Sequence, residues 1–382
     1  MKLARLGEVA EIVRDGIAPE KIVAGTPYLG LEHIESGGRI ISSAPVANGE
    51  LASTKFQFGP EHLLYGKLRP YLAKIALPDF AGICSTDILP VKAGPDLDKR
   101  YLAFFLRQPK MVDFANSRAS GANLPRLSPK ALADFEIPLP PLPEQRRIAG
   151  ILDQADALRR LRRQSLSRLS DLGQAIFYEM FDDGDRTHPI VELADLIDPS
   201  DKLNYGVVQP GHETETGVPL LRAGDILQPD LNFAKVKRIS PEIEKAYTRS
   251  RLKGTEILIA CVGTIGSAAL ATEKLKGMNI VRALARVPLD NKKANRLFIF
   301  EQIRSERVQR YYLSETRTVS QPTLNIKQIK ETKIFLPPMD SQVAFAERMS
   351  KLAAMSATHT TSLAQSDSLF AALQHRAFRG EL

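Results

Sequence analysis

The stretch IPLPPLPEQRRI, residues 137–148, returns 197 residues later as IFLPPMDSQVAF, residues 334–345. Extending that shift without a gap sets residues 125–181 on 322–378 with 15 identities in 57 positions. They include Pro140/Pro337, Pro141/Pro338, Gln145/Gln342, Ala149/Ala346, Leu172/Leu369 and Phe181/Phe378. Mismatches such as Ile148/Phe345, Leu152/Met349 and Leu158/Met355 conserve apolar character. A chain that repeats itself over such a length folds as two copies of one unit, which constrains its architecture more than any single motif does.

The segment after each proline run sets the rest of the plan. Pro138, Pro140, Pro141 and Pro143 fix their own φ and push each preceding residue toward an extended form, so the chain arrives stiff. From Glu144 to about Phe181 there is no proline and one glycine, Gly173. Apolar residues recur at Ile148, Ile151, Leu152, Leu158, Leu161, Leu166, Leu169, Leu172, Ile176 and Met180, which predicts one helix of roughly 57 Å. Its polar face is crowded by seven arginines between Arg146 and Arg168, read as solvated charges, as partners of Asp153 and Asp156, or in part as phosphate contacts. The polar stretch at 182–189 stops this helix, with Gly184 as a terminator. A second helix is expected over about Asp340–Arg379, with Phe345, Met349, Leu352, Met355, Leu363, Phe370 and Leu373 as its stripe. Neither stripe is stable alone in water, so the two helices pair with each other.

The blocks before each helix read as mixed α and β. In the first, β-like runs fall at Glu11–Val13, Pro27–Ile34, Gly38–Ile41, Leu63–Leu77 and Asp87–Val91, and a helix at Asp98–Arg107. A capped turn is expected at Ser128 and Pro129. In the second, VELADLID (191–198) matches LGEVAEIV (6–13), VPLLRAGDI (218–226) matches PYLGLEHI (27–34), and EILIACVGTIGSAAL (256–270) replaces HLLYGKLRPYLAKIAL (62–77). The shift grows from about 184 to 197 along the copy, so the second block carries extra loop residues on a shared scaffold. The fold class is therefore α+β, with two mixed α/β domains separated by two long antiparallel helices and an internal pseudo-two-fold repeat. The expected boundaries are 1–143, 144–182, 183–339 and 340–382.

Charge and cysteine usage narrow the function. The net charge of +8 divides as +2 over residues 1–140, +1 over 141–182, +5 over 183–337 and 0 over 338–382, so the two non-helical blocks hold most of the excess. That fits a polyanion bound by those blocks. Cys84 and Cys261, the only cysteines, do not correspond under the repeat and read as core thiols. The six histidines show neither metal-ligand nor triad spacing. No run approaches the length of a membrane span, and the start MKLARLGEVAEIV has acids where a signal peptide needs an apolar run, so a cytoplasmic location with no membrane role is expected.

Connectivity then predicts that the first helix carries the second domain away and the second helix returns antiparallel. Two equivalent domains would sit at the ends of a rod, on the length scale at which dimeric readers place half-sites along double-stranded DNA. In YGKLRPYLAK (65–74) the cations Lys67 and Arg69 stand among aromatic and apolar neighbours, as phosphate or base contacts or as a solvated strand face. With Arg118 they are the DNA-binding candidates of the first domain; Lys237, Arg238, Arg251 and Arg317 are those of the second.

This arrangement resembles the specificity (S) subunits of type I restriction-modification enzymes. The resemblance covers essentially the whole chain, through IPLPPLPEQRRIAGILDQAD, the duplicated architecture and the terminal AFRGEL (377–382). The second copy departs from it, since LPPMDSQVAF lacks the Pro-Glu-Gln-Arg core. The resemblance implies a non-catalytic subunit that reads a bipartite DNA site, one half per domain. It implies two modification (M) subunits on the helices and two restriction (R) subunits in the endonuclease form. The assembled complex would be an adenine methyltransferase and ATP-dependent endonuclease, with S-adenosylmethionine, ATP and magnesium on the partner subunits and no cofactor on this chain. Apolar residues left over after helix pairing, Ile176, Phe177, Met180 and Phe181 near one end and Phe370, Leu373 and Phe378 near the other, are the expected seats for modification subunits.

A stand-alone DNA methyltransferase or nuclease is the rival enzyme reading. It lacks an Asn/Asp-Pro-Pro-Tyr motif and a glycine-rich phosphate loop after a strand, and GTIG (263–266) reads as a phosphate nest or a tight turn. A helical scaffold without a nucleic-acid role explains the helices but not two basic, diverged domains.

Overall fold

The computed structural model describes residues 2–47, 49–181, 184–228, 231–232, 235–316 and 322–382, with backbone alone at 184 and 185. It divides into two units, residues 1–164 with 360–382, and residues 165–359. Each long helix is a single element, Leu142–Phe181 and Met339–Ala377, and each contributes a segment to both units.

In the first unit the strand His62–Gly66 lies between Ile88–Ala93 and Ile75–Ala76, with Ala10–Ile12 on the outer edge of the sheet. His62–Gly66 is buried throughout because both faces are covered. Leu63 and Tyr65 join the core beneath the helix Lys99–Leu106, whereas Leu64 faces a second core with Leu29, Phe58 and Ile88. A five-stranded sheet containing Lys55–Phe58, Gly82–Cys84 and Pro27–Leu29 encloses that second core. The same logic orders the other unit: Ile257 and Ile259 of the strand Ile257–Ala260 face one core, Leu258 and Ala260 another.

Each copy closes with a short ladder that hands the chain to its long helix. Leu3–Arg5 pairs antiparallel with Glu136–Pro138, and Ile190–Glu192 pairs antiparallel with Lys333–Phe335. The bonds Leu6 N to Phe135 O and Leu139 N to Lys2 O in the first unit are matched by Leu193 N to Thr332 O and Leu336 N to Pro189 O in the second. Past the prolines, Gln145 is fully buried and Gln342 is 1% exposed. Gln145 accepts from Asp98 N and donates to Asp96 O and Pro140 O; Gln342 accepts from Asn295 N and donates to Pro337 O. Asp98 and Asn295 are the N-caps of Lys99–Leu106 and Arg296–Arg304. The shared glutamine thus fastens the first turn of each long helix to the start of a domain helix.

Helix pairing is antiparallel within each unit. In the first, Asp367 accepts from Arg159 and Arg163, both at 2.7 Å, and the Arg159 guanidinium lies 4.1 Å from the Phe370 ring centroid. In the second, the bare Cα of Gly173 lets Met349 approach, and Phe177 meets Phe345 at 5.6 Å between centroids. The second seam keeps an exposed pair at 3.9 Å, Arg348 with Glu179, beside these apolar contacts.

Several local expectations are corrected. Leu63–Leu77 is not one strand: His62–Gly66 and Ile75–Ala76 flank a turn built on Pro70, with Arg69 and Ala73 left-handed at φ 51° and 48°. Gly38–Ile41 forms only an isolated bridge, Ile34 to Ile40, since Gly37 and Gly38 both take positive φ. The helix Pro109–Ser117 is an element that the sequence pattern does not announce. Ser128 does cap Pro129–Ala133, accepting from Ala131 N at 3.1 Å. The long helix ends at Phe181 as expected; residues 182–183 lie outside the described residues, and Gly184, expected as the terminator, opens the short helix Gly184–Thr187. Among the described residues no helix is long and apolar enough to cross a membrane.

Candidate nucleic-acid interface

The turn at 67–74 is held from three sides. Lys67 N donates to Asp87 O, Leu127 N to Lys67 O, and Arg69 N to Pro125 O at 2.7 Å. The loop 120–126 closes on itself through paired bonds between Ser120 and Arg126, and Arg126 bridges to Leu68. The helix Pro109–Ser117, which ends at Arg118, packs on the Pro70–Leu72 turn. The structure therefore gathers Lys67, Arg69 and Arg118 in one place and adds Arg126, which sequence reasoning misses.

Electrostatics separates these four cations. Arg126 makes a two-pronged bond to Asp87, at 2.9 and 3.1 Å, which pushes the guanidinium pKa up through that hydrogen bond and the carboxylate charge. Lys67 Nζ lies 4.0 Å from the same carboxylate. Arg118 stacks over the Phe114 ring at 4.7 Å. Arg69 is exposed, and its guanidinium has no partner among the described residues. One free cation is thus presented beside three that neighbouring groups already hold.

In the second unit the candidates lie elsewhere. Lys237 Nζ donates to Gly211 O at 3.1 Å, and Arg238 Nη1, on the strand Arg238–Ile239 of a three-stranded sheet, donates to Gly217 O at 2.9 Å. Arg251 forks onto Glu244 at 2.9 and 2.6 Å. Glu244 is 3% exposed, so Arg251 neutralises a buried carboxylate and is less available to a ligand than its sequence context suggests. Arg317 lies outside the described residues. The counterpart of the 67–74 turn is 261–267, where Cys261 N donates to Ala283 O and Leu324 N to Cys261 O. GTIG forms a tight turn, closed by Ser267 N to Thr264 O at 3.1 Å and Gly266 N to Ala260 O at 2.9 Å. Among the described residues no group of three or more His, Cys, Asp or Glu could hold a metal ion.

Of the seven residues expected to seat modification subunits, Phe177, Phe181 and Phe378 are buried in their own units, and Ile176, Met180, Phe370 and Leu373 are partly buried against the same cores. Phe177 and Phe181, each 6% exposed, pack on Phe298, Phe335 and Phe345, with Ile176 and Met180 against the same core. Phe378, 5% exposed, packs on Tyr101 and Phe105 at 5.1 and 5.3 Å, with Phe370 and Leu373 beside it. These side chains fasten the helices to their own domains, because the domain helices at 99–106 and 296–304 cover what helix pairing leaves bare.

The family described as type I restriction modification DNA specificity domain matches residues 1–170 and 199–365. The chain belongs to this specificity-subunit family. The specificity-subunit resemblance drawn from the repeat is thereby shown, as is the α+β duplicated architecture. The EcoBI specificity subunit of Escherichia coli is 29% identical over 354 residues, covering 85% of this chain and 74% of that protein. The EcoKI specificity subunit of Escherichia coli K12 is 25% identical over 313 residues, 74% of this chain and 65% of its own. Among solved structures, a type I S subunit from M. genitalium superposes with TM-score 0.63 at 14% identity, covering 99% of this chain and 96% of its own. A chain from a structure of type I R-M complex assembly and conformational transition superposes at 0.61 with 21% identity, over 100% and 98%. Specificity subunits supply DNA sequence recognition and are non-catalytic.

Proposed function

We propose that this specificity subunit reads a split DNA site, one half with residues 1–143 and the other with residues 183–339, while the long helices fix the gap and carry two modification subunits. The observation that carries this reading is the repeated seating of each domain on a long helix by Gln145 and Gln342. Two copies of one reader, each locked to a continuous helix, suit a site of two halves at set spacing. Lys67, Arg69 and Arg118 are the proposed DNA contacts of the first domain, and Lys237 and Arg238 those of the second. Methyl transfer and cleavage, with S-adenosylmethionine, ATP and magnesium, belong in this reading to modification and restriction subunits.

With Phe177, Phe181 and Phe378 buried, the modification subunits are assigned to what the helices leave exposed. Leu158 and Leu369 in the first unit are 42% and 54% exposed, and Leu172 and Met355 in the second are 44% and 52% exposed. The shift of 197 relates Leu158 to Met355 and Leu172 to Leu369, so both units offer the same apolar pair. A face that occurs twice suits two copies of one partner.

The test exchanges residues 1–143 for those of another family member and maps methylated sites by sequencing. One altered half with the other retained is expected; alteration of both halves would break the modular reading. Charged substitutions Leu172→Asp and Leu369→Asp should each lower modification-subunit stoichiometry on co-purification, and full retention by both would remove that face.

A further inference from the structure

Two turns with different side chains at their key positions, the second one residue shorter, share their flanking anchors and a pair of left-handed residues. Gly66 N donates to Lys74 O at 2.8 Å around the first, and Ala260 N to Ser267 O at 2.8 Å around the second. Their flanking anchors also match, Lys67 with Asp87 and Leu127, Cys261 with Ala283 and Leu324. Each turn contains two left-handed residues: Arg69 and Ala73 at φ 51° and 48°, Gly263 and Gly266 at φ 79° and 81°. A domain helix packs on each, Pro109–Ser117 on the first, and Glu306–Thr316 on the second through Gln309 Nε2 to Gly266 O at 3.0 Å.

The left-handed region is disfavoured for arginine and alanine and free for glycine, so the first copy keeps this shape at a conformational cost that the second avoids. Strain of this kind persists where the surroundings over-determine it, often at ligand sites. Outside the shared strands, closing ladders and glutamine clamps, the loops of the two domains diverge, as the growing shift between copies shows. A geometry kept in common by two readers of different sequences answers to what both half-sites share, and that is the sugar-phosphate backbone rather than base edges.

Each turn also has unused donors. In the first it is the Arg69 guanidinium. In the second, the backbone N–H groups of Gly263, Thr264 and Ile265 meet no acceptor among the described residues, and a Cβ at Gly263 would find open space. Successive free N–H groups in a turn make an anion-binding concavity.

We propose that residues 67–74 and 261–267 are equivalent DNA-backbone clamps, the first holding a phosphate through Arg69 and the second through the N–H groups of 263–265. This rests on the reading that each domain engages one half-site.

The test uses the full chain assembled with its modification subunits and a pool of random-sequence duplexes, reading affinity across a salt series and base preference by sequencing bound DNA. Arg69→Ala should weaken binding to every sequence by about three- to ten-fold and lower the salt slope by about 0.9, with base preference unchanged. Arg69→Lys should restore the slope, and its folding is read by thermal melting alongside. Gly263→Arg, which transplants the first chemistry into the second turn, should raise affinity and slope for all sequences. Unchanged affinity and slope in Arg69→Ala would overturn the proposal, as would relaxed preference at a single base position, which would make Arg69 a base reader. A wild-type complex without any base preference would instead overturn the split-site reading.

Discussion

Gln145 Oε1 accepts a hydrogen bond from the backbone N–H of Asp98 at 2.9 Å, and this contact joins a helix start to a domain that precedes it by 47 residues. It recurs between Gln342 and Asn295 at 2.9 Å. The glutamine is one of few polar identities in the repeat because its amide satisfies both a donor and acceptors that the fold buries. A carboxylate could not donate to the carbonyls of Asp96 and Pro140, and an apolar side chain would leave all of them unpaired.

Replacing Gln145 with leucine should therefore cost on the order of 2 kcal/mol, the desolvation penalty of the orphaned groups. Gln342→Leu should do the same in the other unit. Amide hydrogen exchange distinguishes them: protection should fall around residues 96–106 in the first variant and around 293–304 in the second. Unchanged protection in both would show that the clamp is dispensable.

The left-handed residues give a pair of opposite predictions. Ala73→Gly relieves φ 48° and should raise stability by up to about 1 kcal/mol after the entropy of the unfolded glycine is counted. Gly266→Ala, at the matching place, adds a Cβ 2.7 Å from Gln309 Oε1 and 3.1 Å from Tyr312 Cδ2 at φ +81°, and should cost about 2 kcal/mol or more. Thermal unfolding of the two variants should shift in opposite directions; shifts of the same sign would deny the equivalence of the turns.

Cys84 and Cys261 are both buried, and burial pushes both thiols up to about 12. At pH 8 the reactive thiolate is then about one part in ten thousand, so neither should alkylate in the folded protein. Mass spectrometry after iodoacetamide should find no label without denaturant and two with it. Early labelling of Cys261 alone would mean that the 261–267 turn opens.

How much of this could be read from the sequence depends on the range of the interaction. The repeat, the two helices and the cap at Ser128 were legible because each is carried by neighbouring residues, as propensity or a period. The turn at 67–74 was not: its positive φ falls on Arg69 and Ala73 instead of glycines, so its apolar run imitates a strand. The burial of Phe177 was hidden for another reason. Its partners Phe298, Phe335 and Phe345 lie more than a hundred residues away, and helical periodicity shows that a face is apolar without showing what covers it. The cation cluster was half visible. Lys67 and Arg69 stood out by spacing, whereas Arg126 joins them only through Asp87, a long-range pairing with no local signature.

The second unit should carry two opposed pH dependences. Arg286, 1% exposed, is held by Asp201 and by the fully buried Glu256. Burial pushes the Asp201 carboxyl up, but hydrogen bonds from Arg286 and Lys253 outweigh it and hold the group below its usual range. Its stabilisation is present above the unfolded value of about 3.9 and is lost as pH falls through the lower folded one. Glu301 behaves the other way: burial raises it and Arg304 only partly compensates. Its contribution is fully present below about 4.3 and is lost as pH rises through the folded value. The shift of 197 sets Glu301 on Phe104, so the second copy carries a carboxyl where the first has a ring. Glu301→Gln should therefore stabilise the protein at pH 7 and have little effect at pH 4. Asp201→Asn should destabilise it at pH 7 by on the order of 3 kcal/mol, since Arg286 is left buried with one partner fewer, and should flatten the acid limb. Urea unfolding between pH 3 and 8 measures both. A Glu301→Gln variant less stable at neutral pH would show that the Arg304 pair outweighs the burial of the charge.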